Sequence, residues 1–457
     1  MPRLSDLKNK HVLALLGNFV IAGVSFGMMA LLARVMEKSE LGVWFYFLMI
    51  YGFADAVRNG LLTTATVKFY AGTKPDRAAE VLGSVWFLAL CLCGLIAIVN
   101  LAVWPFIGST SNLELKVLIQ WFGLTVLSSL PFTVTFWIMV ADNEYGKILW
   151  LRMVNNGSMI ITLAILAFFH KATLQNLLLV NFLTNVLTSL ICLLLGYSKF
   201  GMLFKRTKST TKELFNFGKF SLASNMSSYL LGMANGLIIN GILGAEALAV
   251  FTIPNKLMEI IEIPLRSFVG TGMSAMATAY NEKNTYHLTF VSKKYPGMLT
   301  WVFIPIAVAT FFGADIAIRI FGGLKYVDGP AANILRFTML IAVMYPIDRF
   351  NGVTLDIIHQ QKVNLYKVIA MGTVNILTAF VATLILKDIY GKQTATYGVV
   401  IAIFFSTLAG ITVGYYHLRK HLNYSLRGIV VLGAVELKNF FNEKILKRPP
   451  ANVPPQV

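Results

Sequence analysis

Residues 81–107 read VLGSVWFLALCLCGLIAIVNLAVWPFI, a run without Asp, Glu, Lys or Arg. At 1.5 Å per residue a helix over this run reaches about 40 Å, more than the roughly 30 Å hydrocarbon core of a bilayer. Working outward, apolar runs of comparable length recur at 12–33, 41–66, 114–140, 148–169 and 174–197, and again at 214–242, 247–274, 296–321, 331–358, 363–386 and 395–418. The reading is an all-α integral membrane protein with twelve transmembrane helices. Composition agrees: of 457 residues, 56% are hydrophobic and only 13% are charged, about half the usual share of a soluble domain. Mean hydropathy is +0.68. A soluble enzyme and a nucleic-acid-binding domain are excluded, so no nucleic acid partner is expected. A membrane β-barrel would show short alternating segments instead of continuous runs.

The chain carries 39 Lys and Arg against 21 Asp and Glu, a net charge of +18. The positive residues cluster between spans, where they act as topology signals. With the N-terminus inside, 26 fall on the cytoplasmic side, nine outside and four within spans. Both termini are therefore expected in the cytoplasm, with Arg3 and Lys8 preceding the first span. Cys91, Cys93 and Cys192 all lie inside apolar runs, so no disulfide framework is expected. The six histidines are scattered and suggest no metal site.

The longest connection, 198–213, holds Lys199, Lys205, Arg206, Lys208 and Lys212. It divides the chain into an N-terminal six-helix lobe (1–197), a basic cytoplasmic linker (198–213) and a C-terminal six-helix lobe (214–420). A cytoplasmic tail (421–457) follows, read either as an amphipathic helix at the membrane surface or as a frayed polar end. The halves resemble each other. Gly17-Asn18-Phe19 answers to Gly218-Lys219-Phe220, and Leu41-Gly42-Val43-Trp44 to Leu248-Ala249-Val250-Phe251. Pro131 matches Pro346 at an offset of 215, as Lys147 and Arg152 match Lys362 and Lys367. Six spans per half start both halves on the same side, so the pseudo-repeat is parallel.

Ala33-Arg34-Val35 followed by Glu40-Leu41-Gly42-Val43-Trp44, Phe217-Gly218-Lys219-Phe220 through Leu243-Gly244, and Tyr397-Gly398-Val399 at the last span resemble motifs of the MOP superfamily of exporters. Within it, the chain is most similar to the polysaccharide (lipid-linked oligosaccharide, O-antigen type) flippases. Lys392-Gln393-Thr394-Ala395-Thr396 stands where that family more often has a small Gly-Ala pair. The resemblance implies two lobes around a central cavity and alternating access by lobe rocking. It implies a polyprenyl-pyrophosphate-linked sugar as cargo, moved from inner to outer leaflet of the bacterial cytoplasmic (inner) membrane. Membrane lipids and other polysaccharide-assembly proteins are the remaining candidate partners.

Charges inside a bilayer cost about 2.5–3.5 kcal/mol each on insertion scales, which makes them functional candidates. The second span carries Asp55 and Arg58. The eighth carries Lys256, Glu259, Glu262 and Arg266, and the tenth Asp348, Arg349 and Asp356. At 100° per residue those of span eight fall within about 120° and those of span ten within about 100°, so each helix has one polar face. Arg58, Arg266, Arg349 and Lys256 are the candidates for holding the pyrophosphate from the cytoplasmic side, because a guanidinium stays charged and offers several donors to phosphate. Asp55, Glu259, Glu262, Asp348 and Asp356 are candidates for charge pairing or ion coupling. Asp55–Arg58, Lys256–Glu259 and Glu262–Arg266 also have the spacing of plain intrahelical pairs. No phosphate-binding G-x-x-x-x-G-K-[ST] occurs, so neither ATP nor any other cofactor is expected, and Na+ or H+ is the candidate coupling ion.

Two other functions are weighed. A multidrug and toxin extrusion type antiporter, coupled to a cation, shares the fold, but the arginine-bearing faces would repel a cationic drug. A membrane-embedded glycosyltransferase or ligase would need larger extramembrane loops, so no enzymatic activity is expected.

Overall fold

The computed structural model describes residues 10–444. Arg3, Lys8 and the end of the tail from Ile445 lie outside the described residues. The helices, in order, are α1 (Lys10–Val35), α2 (Lys38–Tyr70), α3 (Pro75–Val103), α4 (Leu113–Val117), α5 (Gly123–Ser128), α6 (Leu130–Ala141), α7 (Tyr145–Phe168), α8 (Leu174–Leu194), α9 (Lys208–Leu243), α10 (Ala245–Asn281), α11 (Thr285–Gly322), α12 (Ala331–Ala342), α13 (Tyr345–Ile357), α14 (Gln361–Tyr390), α15 (Lys392–Ala395), α16 (Tyr397–His421) and α17 (Leu426–Lys444). Among the described residues there is no strand. Backbone polar groups in hydrocarbon must be satisfied within the segment, and a helix does this without a partner chain.

Eight helices are long and apolar enough to cross a membrane by themselves, and two bent pairs pass together, α4–α6 and α12–α13. The remaining two expected spans lie on α1 and on α10. The latter has 37 residues and carries Lys256, Glu259, Glu262 and Arg266. The bends are 42° in the first pair and 43° in the second. Each comes just before a proline, Pro131 and Pro346, whose missing N–H and ring break the helical ladder. The sequence offset of 215 is thus also an offset between two equivalent bends.

The chain divides into two compact units, Met1–Ala234 and Asn235–Val457. In the first, Leu62, Val81, Val85, Trp86, Val126 and Trp137 form the buried core. Glycines let α2 and α9 touch: a β-carbon on Gly218 would stand 2.1 Å from the Leu61 carbonyl oxygen, and one on Gly60 would stand 2.9 Å from Asn225 Cβ. In the second, Leu265, Met276, Phe303, Phe350 and Leu355 are core.

Both units close one end with the segment after their last span. In the first, the region read as a linker is folded. Its 3-10 turn Phe200–Lys205 lies on α3, where Trp86 Nε1 donates to Ser198 O at 2.8 Å and Gly83 admits the Met202 carbonyl. The Arg206 guanidinium sits 3.9 Å from the Phe87 ring centroid. In the second, Trp301 Nε1 donates to Val430 O at 2.8 Å, and Gly297 admits the Ile429 carbonyl. Trp86 and Trp301 are again 215 residues apart. The tail is therefore a helix packed by Ile429, Leu432 and Gly433 against α11, and Glu436 pairs with Lys294. Of the two readings of the tail, the helix is the one found over Leu426–Lys444.

Candidate functional site

Of the two charged residues of the second span, Arg58 faces the core. Arg58 is completely buried in the first unit. Its Nη1 donates to Val126 O at 3.0 Å and Ser129 Oγ at 3.1 Å, and its Nη2 to Tyr51 OH at 3.4 Å and to the carboxylate of Asp55. Cys93 Sγ lies 3.8 Å away. This corrects the expectation of a substrate-facing Arg58. The break before Pro131 exposes the Val126 carbonyl and Ser129 hydroxyl, and the guanidinium fills that gap. Asp55, its ion-pair partner, keeps 35% of its side chain exposed.

α10 behaves differently. Lys256 bonds Glu259 at 2.6 Å and Arg266 bonds Glu262 at 2.5 Å. These are the intrahelical pairs that the spacing allowed, and they leave Arg266 77% exposed. The positional match between Arg58 and Arg266 hides opposite environments, one in the core and one on the surface. Glu259 is half exposed and neutralised by Lys256.

α13 separates its three charges. Arg349 is exposed, and no described carboxylate pairs with it. Tyr345, one turn earlier, lies within electrostatic reach of both Arg349 and Glu262. Glu262, which Arg266 pairs with on α10, and Arg349 on α13 thus both act on Tyr345. Asp356 is exposed at the far end of α13, where Asn364 Nδ2 donates to both carboxylate oxygens at 3.0 and 2.9 Å. Asp348 is buried within the second unit. Its carboxylate pairs with Lys367 of α14 at 2.7 Å, and the same ammonium donates to the Asp348 carbonyl at 2.8 Å.

Lys367 was missed as a site residue. It appeared only as a repeat partner of Arg152, although a lysine four residues into span eleven was the available signal. Around the pair, α16 approaches through glycines. A β-carbon on Gly410 would stand 2.6 Å from Asp348 Oδ1, and one on Gly414 would stand 2.8 Å from Asn351 Cβ. Asn351 is fully buried and accepts from Tyr424 OH at 2.7 Å. Gly410 and Gly414, one turn apart on α16, thus form a helix-contact surface.

A cleft of about 660 Å³ opens in the first unit among Ile50, Phe53, Val57, Leu92, Val99 and Phe122. Only Asn100, Ser109 and Thr110 among its lining residues are polar. No group of three or more His, Cys, Asp or Glu is placed to hold a metal among the described residues.

These features define a multi-pass helical membrane protein with exposed charges on α10 and α13 of its second unit. Its fold is that of transporters of the MOP superfamily. An inward-facing multidrug resistance MATE family transporter superposes with a TM-score of 0.68 at 15% identity, over 88% of this chain and 94% of that one. Lipid II flippase MurJ, in an inward closed conformation, gives 0.67 at 14% identity over 96% and 94%. A MOP superfamily transporter from Pyrococcus furiosus, described as having a binding pocket of reversed polarity, gives 0.57 at 16% identity over 91% and 95%. No curated protein matches the chain in sequence. The family described as polysaccharide biosynthesis protein matches residues 31–329, and the chain belongs to that family.

Proposed function

We propose that the chain is a flippase that moves a polyprenyl-pyrophosphate-linked oligosaccharide from the inner to the outer leaflet of a bacterial cytoplasmic membrane by alternating access. The observation that carries this reading is the exposed Arg349 beside Tyr345, with exposed Arg266 on the neighbouring α10, in a helical membrane protein of a polysaccharide biosynthesis family. No described carboxylate forms an ion pair with Arg349, which leaves its guanidinium to meet a pyrophosphate with charge-assisted hydrogen bonds. The apolar cleft beside Phe53 and Leu92 suits an isoprenoid chain. Glu262, paired with a largely exposed arginine, is the favoured carboxylate for Na+ or H+ coupling. Arginine capture of phosphate by Arg266 would release it.

The test is movement of a short-chain polyprenyl-pyrophosphate glycan in proteoliposomes, read as its accessibility to an external lectin. Transport that falls at least tenfold in Arg349→Ala, with normal protein abundance, supports the reading. Likeness to multidrug transporters makes a cation-coupled drug antiporter the second reading. Efflux of an organic cation without glycan movement would establish it and overturn the first.

A further inference from the structure

Lys293 on α11 is only 3% exposed, yet no described residue gives its Nζ a hydrogen bond or an ion pair. Its neighbour Lys294 has Glu436; Lys293 has no such partner. The ammonium instead stands against the first turn of α17. A β-carbon on Gly428 would be 3.3 Å from Lys293 Nζ and 2.5 Å from Ser425 Oγ. Ser425 caps this helix: its Oγ accepts from Gly428 N at 3.0 Å, and its carbonyl accepts from Ile429 N at 3.1 Å. The amides of Leu426 and Arg427 precede the first intrahelical donor, Ile429 N, and no described group accepts from either.

Two positive features therefore face each other. The N-terminal end of a helix carries partial positive charge, and an ammonium belongs at the opposite end. Lys293 is buried along its stem while its Nζ still reaches solvent, so an anion from outside can supply the counter-charge that the protein does not. The first half shows how the same place looks when complete. Arg77, one residue from the position equivalent to Lys293 at the offset of 215, bonds Glu80 at 3.1 Å, Glu213 at 2.5 Å and Thr210 at 2.5 Å near the start of α9. In the second half the carboxylate of α17, Glu436, pairs with Lys294, and Lys293 is left without one.

We propose that Lys293 and the first turn of α17 form a binding site for a phosphate-bearing anion, separate from the transport site. The donors are the Lys293 ammonium, the free amides of Leu426 and Arg427, and the exposed Arg427 guanidinium at its edge. A helix N-terminus with adjoining cations is a ready receptor for phosphate oxygens. The ligand is either free phosphate or the headgroup of an anionic phospholipid. The exposed Leu426, Val430 and Val431 on the same helix would lie well against acyl chains.

The full chain in detergent decides between them. Thermal unfolding is followed at constant ionic strength with inorganic phosphate against chloride, then with micelles containing phosphatidylglycerol against phosphatidylcholine. Bound lipid is counted by native mass spectrometry. Stabilisation by phosphate alone assigns free phosphate. Stabilisation by phosphatidylglycerol only, with one lipid retained, assigns a headgroup. In either case Lys293→Met should weaken binding about tenfold or more, the loss expected for one charge-assisted contact. Arg427→Gln, an exposed change that leaves the packing intact, should weaken it less, and serves if Lys293→Met does not fold. The proposal is overturned if neither anion stabilises the wild type, or if both variants respond as the wild type does.

Discussion

Replacing Lys367 by Met tests the core of the second unit. The ammonium and the Asp348 carboxylate are 4% and 7% exposed and 2.7 Å apart, with a second bond to the Asp348 carbonyl at 2.8 Å. No water-sized space adjoins Asp348 on the side of Gly410, where even a β-carbon would approach to 2.6 Å. Removing the cation strands the carboxylate, at a cost of about 3–5 kcal/mol. Asp348→Leu alone strands the ammonium at similar cost. The double change Asp348→Leu with Lys367→Met removes both charges. It should recover most of the loss, because an apolar pair of similar volume often matches a buried ion pair in stability. The assay is a double-mutant cycle of unfolding free energies on the purified chain in detergent, where a favourable coupling of about 2–3 kcal/mol is expected. If the two single effects simply add, the pair is not the buried, mutually dependent unit described above. If the singles are neutral, Asp348 is hydrated and was wrongly placed in the core.

Other outcomes follow from the same geometry. Arg58→Ala should destabilise the first unit by about 3 kcal/mol or more, since Asp55 and three further acceptors lose their donor. Arg266→Ala should change stability by less than about 1 kcal/mol, as for other exposed pairs, while reducing glycan transport; thermal melts and the lectin assay read the two effects separately. Gly433→Ala should push α17 off α11, because its β-carbon would stand 2.2 Å from the Gly297 carbonyl carbon; faster proteolysis of the tail is the readout. For topology, cysteine at Ser209 should resist an impermeant thiol reagent in intact cells and cysteine at Ala245 should react, in a background lacking Cys91, whose thiol is exposed. The opposite pattern would invert the expected orientation.

Helix positions were readable in the sequence because length and hydropathy decide them: the bent pairs coincide with spans four and ten, and Pro131 and Pro346 mark the bends. The side of the helix that each charge occupies was less readable. Arg58 and Arg266 have the same neighbours in sequence terms, a carboxylate three or four residues earlier. What separates them is that α3 and α5 bring Cys93, Val126 and Ser129 to one and leave the other on the surface. Asp348 and Lys367 are 19 residues apart on different helices, so no single-helix projection pairs them. The tail remained ambiguous because α17 is mixed in character. Its close approach to α11 depends on Gly297 and Gly433, two residues that contribute the absence of a side chain.

The order in which the two ends are closed has a consequence for biosynthesis. In the first half, the backbone that bonds Trp86 is complete by residue 206, before any of the second half has been translated. In the second half, the carbonyl that bonds Trp301 belongs to Val430, in a helix that follows every apolar span. Domains tend to fold as units from the N-terminal side as they are made. The first half is therefore able to finish while the ribosome is still at work, whereas the second stays open until α17 has emerged. A nascent chain stalled after α16 would carry a completed first half and a second half with its Gly297 face bare, a state visible to membrane quality control.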